Sequence, residues 1–131
     1  MKAFRCVLLV FVLSISFGML NQSYSQVIYF CESVDADGNP IKASSNFTIP
    51  AKGGYLYVLV DLEGYQVDCS SVDFEIYRNG KYDNTISMDT KSNWTWFWKQ
   101  ITFYKAGEFT IDVYDCNDDL IVSGTVEIEK D

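Results

Sequence analysis

Hydrophobic and polar residues alternate one for one through most of the chain beyond residue 26. Leu56, Val58, Val60 and Leu62 fall on one side of a strand, with Tyr55, Tyr57, Leu59 and Asp61 on the other. That period of two marks an extended segment with one face on a core. The same alternation sets Val72, Phe74 and Ile76 against Asp73, Glu75 and Tyr77, and Phe109, Ile111 and Val113 against Thr110, Asp112 and Tyr114. The pattern predicts strands over 27–32, 42–49, 55–62, 72–78, 82–88, 94–103, 108–115 and 120–129. Turn residues separate them at Asp35–Pro40, Pro50–Gly54, Glu63–Ser71, Asn79–Gly80, Lys105–Gly107 and Asn117–Asp119. Asn79–Gly80 is the best hairpin turn, because both residues accept positive φ. No run of ten or more residues carries a helical period. Seven or eight short strands predict an all-β, two-layer antiparallel sandwich in one domain.

The N-terminus follows a different rule. Lys2 and Arg5 precede an apolar stretch, Val7–Leu13 with Ile15 and Phe17, and Ser23 and Ser25 then supply small residues at spacing −3 and −1. This is the composition of a secretory signal peptide over 1–25, leaving 26–131 as the sandwich domain. A spanning helix needs about 20 apolar residues, and Arg5, Ser14, Ser16 and Gly18 interrupt this stretch. The expected destination is periplasmic, cell-surface or secreted, with no membrane insertion after cleavage. Disulfides are permitted in such a compartment.

Ile101–Thr102–Phe103, followed by Gly107–Glu108–Phe109–Thr110–Ile111–Asp112–Val113–Tyr114–Asp115, resembles the late strands of immunoglobulin-like domains in small exported bacterial proteins. The resemblance implies an immunoglobulin-like sandwich and transfers no functional residue. Strands laid out on such a sandwich bring the loop after 55–62 and the loop after 108–115 to the same end. Cys69 lies in the first loop and Cys116 opens the second. That placement implies a Cys69–Cys116 disulfide, with Cys31 a free, half-buried strand residue. The competing arrangement pairs Cys31 with one of the others, or with a second chain.

Charge and residue counts narrow the chemistry. The net charge is −8, and loss of Lys2 and Arg5 with the signal deepens it to −10. Such a surface repels phosphate backbones, so nucleic acid is not an expected partner. Histidine is absent, which excludes Ser–His–Asp and Cys–His catalysis and histidine-ligated zinc. No motif singles out two carboxylates, and no glycine-rich phosphate loop occurs, so neither catalytic residue, metal ligand nor cofactor is expected. Asp35–Asn39 resembles the opening of a calcium loop, but Pro40, Lys42 and Asn46 stand where that loop needs glycine, an apolar residue and glutamate. A polar hairpin turn is expected there instead. Asp112, Asp115, Asn117, Asp118 and Asp119 form the densest acidic group and raise a Ca²⁺-dependent domain as an alternative.

Trp94, Trp96 and Trp98 are the sharpest feature of the domain. At strand spacing all three project to one face, opposite Thr95 and Phe97, and Phe97 is in phase with Ile101 and Phe103. A straight strand therefore puts three indoles on the outer face, near Tyr55 and Tyr57. Coplanar exposed rings suit a sugar or a partner's apolar side chains. A bulge near Lys99, or packing against Tyr55, Tyr57 or Tyr77, would cover them instead. The expected function is a non-catalytic module binding a protein or carbohydrate at the cell surface through Trp94, Trp96, Trp98, Tyr55 and Tyr57. A structural subunit of a surface assembly is the other alternative.

Overall fold

The alternating segments become ten strands in a computed structural model that describes residues 26–131. The expected export signal, 1–25, lies outside the described residues. The strands are β1 (Val27–Cys31), β2 (Ser33–Val34), β3 (Pro40–Ile41), β4 (Asn46–Ile49), β5 (Gly54–Asp61), β6 (Ser71–Arg78), β7 (Lys81–Asp89), β8 (Trp96–Phe103), β9 (Gly107–Tyr114) and β10 (Leu120–Lys130). Eight of them form two layers, a five-stranded sheet ordered β4-β10-β9-β6-β7 and a three-stranded sheet ordered β1-β5-β8. β2 and β3 make a separate small hairpin. The described residues thus form the all-β, two-layer sandwich that the alternation predicts, with the immunoglobulin-like layout that the resemblance implies.

Three local departures have physical causes. β4 pairs with β10 in parallel, whereas the other ladders are antiparallel. The chain leaves the three-stranded layer after β1 and joins the opposite layer only at β4, so β4 keeps the direction of an interrupted first strand. The strand expected from Lys42 starts at Asn46, because Lys42 itself sits at φ 56 and breaks the extended run. The strand expected from Trp94 starts at Trp96. Trp94 belongs to a turn, its N–H donating to the Lys91 carbonyl and its own carbonyl accepting the Val67 N–H.

The inner faces interlock as the alternation requires. Val58, Val60 and Phe97 from one sheet meet Phe74, Ile111, Val113 and Val126 from the other, all essentially buried. Edge-to-face rings bridge the layers, Phe74–Phe97 at 6.3 Å and Phe103–Phe109 at 4.9 Å between centroids. One side of the sandwich is closed by Gly124 on β10, where a Cβ would stand 2.5 Å from the Ile28 side chain. Only hydrogen fits there, so β10 and β1 approach edge to edge. Among the described residues, β7 and β8 on the opposite side make no comparable approach.

The outer face of the three-stranded sheet carries a second apolar layer. Leu59 and Cys31 lie in the outward phase, yet both are 0% exposed. The β2–β3 hairpin folds over them, β2 packing on β5 and β3 on β1. The hairpin turn is held by the Asp35 carboxylate, whose Oδ1 accepts the Asp37 and Asn39 N–H groups at 2.9 Å each. Those bonds, led by the one from Asn39, hold the Asp35 carboxyl below the usual carboxylate range. The expectation of a half-buried Cys31 is therefore corrected, while Leu59 faces outward as its phase predicts and is buried all the same. Period-two reading sees one sheet and cannot see a lid supplied by a later turn.

Candidate functional site

The cysteines resolve first. Cys69 and Cys116 are bridged with their Cα atoms 5.8 Å apart, and Cys31 is a free, buried thiol. Burial pushes that thiol above the ordinary cysteine range, against a smaller pull from the Ile41 backbone. It is remote from the bridge in the strand order, and its Sγ faces the Tyr57 carbonyl at 3.6 Å. With Cys69 and Cys116 bridged to each other, neither is left to pair with Cys31. The bridge ties the 62–70 loop to the β9–β10 turn, as the sandwich layout implies.

The aromatic residues divide into three settings. β8 pairs with β5 without a register shift, so no bulge at Lys99 disturbs its phase, and the outward row runs Trp96 beside Asp61, Trp98 beside Leu59 and Gln100 beside Tyr57. Trp98 is 41% exposed and stacks obliquely on Tyr57 at 4.9 Å. Tyr55, 57% exposed, meets Tyr57 edge-on at 6.2 Å. These three rings form one continuous exposed row. Trp96 shares their face but is half-buried beneath the hairpin, where a Cβ on Gly38 would stand 2.6 Å from its ring. Gly38 has φ +82, so glycine is required there both for the turn and for the indole below it. Trp94 leaves the row altogether and packs on the rim of the inner core. The expectation that the three indoles share one platform is corrected: Trp98 joins Tyr57 and Tyr55, while Trp94 and Trp96 are largely structural.

A groove of about 760 Å³ opens beside β8, lined by Met88, Lys91, Asn93, Trp94, Trp96 and Trp98. A second, of about 210 Å³, lies further along the same side among Ile76, Ile86, Ile101, Phe103 and Lys105. Both occupy the open side of the sandwich between β7 and β8. Sequence patterning missed them, because an uncovered seam depends on which strands become edges.

The outer face of the five-stranded sheet is polar and acidic. Glu75 lies directly opposite Asp112, an arrangement in which like charges destabilise a sheet. Tyr77 donates its hydroxyl to Glu75 at 2.9 Å, and Ser123 donates to Asp112 at 2.6 Å. The Glu75 hydrogen bond, helped by desolvation and by the Glu75 and Asp112 charges, pushes the Tyr77 phenol up to about 12. Tyr114 is also raised, by desolvation and then by Asp112 and Glu75. The unfolded chain releases the Tyr77 proton near the ordinary value of about 10, so the contribution is whole below that pH and lost as the pH climbs toward about 12. A falling urea midpoint across that window, with a phenol absorbance step that Glu75→Gln moves back toward the ordinary range, is the expected result.

Asp115 organises its turn as Asp35 does, with Oδ1 accepting the Asn117 and Asp119 N–H groups at 2.8 and 3.0 Å. One oxygen is thereby committed to the backbone. Among the described residues, no group of three acidic or cysteine side chains is placed to hold a metal ion.

Fold and surface together define a disulfide-tied, all-β sandwich with an exposed aromatic row on its smaller sheet. No protein-family model matches the chain. No curated protein matches it. Among solved structures, the CARDB domain of a Pyrococcus furiosus protein, crystallised in complex with di-metal ions, is similar over 83% of this chain and 94% of that one. The identity is 11% and the TM-score 0.42. The likeness is to the fold alone.

Proposed function

We propose that this chain is an exported, non-catalytic sandwich module that binds a protein or glycan through Tyr55, Tyr57 and Trp98. The observation carrying this reading is the row itself, in which Trp98 and Tyr55 keep large exposed faces while Tyr57 braces both. Rings held by a sheet and by each other lose little freedom on binding, and a flat aromatic face suits a sugar ring or an apolar side chain. Export accords with the signal composition of 1–25 and with the Cys69–Cys116 bridge, which an oxidising compartment favours. The lack of histidine, which removes Ser–His–Asp and Cys–His chemistry, supports a binding role over catalysis of those kinds.

The test is a glycan and cell-surface protein array probed with the purified chain and three variants. Trp98→Ala is expected to weaken capture at least about tenfold, or about 1.4 kcal/mol, with the melting temperature within a few degrees of the parent. Trp94→Ala and Trp96→Ala are expected to lower the melting temperature instead, since both indoles support packing. Equal capture by the parent and Trp98→Ala would remove the aromatic row from the binding surface.

A further inference from the structure

Among the described residues the sandwich has four edge strands, and three of them are guarded. β4 is four residues long and ends at Pro50. β1 has its Phe30 carbonyl capped by the Ser44 N–H and is closed in by Gly124. β7 carries Lys81, Asp83 and Asp89 and has a register shift opposite Ile76–Tyr77. Short length, proline, charge and bulges are the devices by which proteins keep edges from pairing. β8 has eight residues, no proline or glycine, no register shift, and three aromatic or β-branched residues on each side of the Lys99–Gln100 pair, Trp96, Phe97 and Trp98 before it and Ile101, Thr102 and Phe103 after it. Among the described residues, no backbone hydrogen bond outside the β5 ladder reaches residues 97–104. Beside this edge lie the two grooves, the smaller reaching Ile76, Ile101, Phe103 and Phe109 of the inner core and the larger reaching Phe97, with Met88 and Trp94 at the core's rim, and among the described residues no strand lies across either.

The one charge on β8 is placed unusually. Lys99 is in phase with Phe97, Ile101 and Phe103, opposite Val58 in the ladder, so it stands on the inward face of the edge strand. It is half-buried, and the ion pair found within 4 Å among the described residues is Lys42–Glu32, not one of its own. Lys91 borders the larger groove, and Arg78 and Lys105, with Asp83 as the one acid, border the smaller. Within a chain of net charge −8, this seam is locally basic.

We infer that β8 accepts an extended acidic segment of another protein as an added strand, with Lys99 selecting a carboxylate at the facing inward position. Backbone pairing along the free edge supplies affinity, and alternate side chains of the added strand enter the two grooves. The occupant's inward positions read apolar, acidic, apolar. The same lysine disfavours a second copy of this chain, because antiparallel self-pairing would bring Lys99 toward its equivalent in a partly desolvated seam. The larger groove shares Trp98 with the aromatic row, and the charge-swapped peptides separate the two readings.

The probes are the synthetic peptides TTVTETVTT and TTVTKTVTT, titrated into the isotope-labelled chain while amide exchange is followed. Slowed exchange is expected at residues 97–103 with the glutamate peptide, which should bind at least about tenfold more tightly than the lysine peptide. Lys99→Glu should reverse that order, and Lys99→Gln, which keeps length and loses charge, should abolish it. Trp98→Ala should leave the order intact even where it weakens both affinities, so loss of glycan capture and loss of charge selection are separate results. Equal binding of both peptides, no binding of either, protection centred on residues 81–89, or a β8-paired dimer of the parent chain in sedimentation would each overturn the inference.

Discussion

Removing the Cys69–Cys116 bridge lowers the stability of the folded domain by about 4 kcal/mol. The bridge joins residues 47 apart in sequence, and restoring that loop's freedom to the unfolded chain accounts for the figure in the chain-entropy treatment. Native geometry at the bridge adds local order. The Cys116 N–H donates to Cys69 Sγ at 3.2 Å, and the buried Thr90 hydroxyl donates to the Cys69 carbonyl. For a domain of this size the melting temperature should fall by about 15–25 °C. Calorimetry with and without reductant, repeated on the Cys69→Ala/Cys116→Ala double variant, measures it. Cys31→Ala serves as control, since that thiol makes no bridge and its substitution should not alter the response to reductant. A change below about 1 kcal/mol would mean that packing alone holds the two loops together.

The inner core was legible in the sequence because a strand's alternation is a local property. Val58, Phe74 and Ile111 could be assigned to it without knowing their neighbours, and all three are 0% exposed. The disulfide was legible at one remove. It needed the layout of strands, but that layout follows from which loops share an end of the sandwich. The candidate surface was only half legible. Trp98 and Tyr57 were placed on one face by phase, and the β5–β8 register makes them diagonal neighbours. Trp94 was misplaced because its phase was extrapolated beyond the true start of β8, where a turn begins. Trp96 was correctly faced but wrongly bared, because its cover comes from Gly38, far away in sequence. The seam was invisible for a related reason. Nothing in Ile86, Met88 or Ile101 announces that no strand will lie across them.

Leu59 offers the sharpest test of that distinction, because the two readings of it predict opposite results. By alternation it belongs to the outer face, where a substitution to alanine changes stability by about 0.5 kcal/mol or less. In the folded chain it is 0% exposed under the β2–β3 hairpin, beside the equally buried Cys31 and opposite Trp98. Truncation of a fully buried leucine leaves a cavity that its surroundings only partly fill, so Leu59→Ala should cost about 3 kcal/mol. The same layer should fail from above. Gly38→Val forces a branched side chain into a φ of +82 and into the ring of Trp96, so the hairpin must lift. Lifting it exposes Trp96 and shifts tryptophan emission to the red at denaturant concentrations where the sandwich is still folded. If Leu59→Ala proves harmless and Gly38→Val leaves the emission unchanged, the hairpin is an appendage. If both effects appear, the three-stranded sheet is covered on both faces, and the aromatic row of Tyr55, Tyr57 and Trp98 is the margin of a second small core. That support would explain how rings so exposed can stay fixed in place.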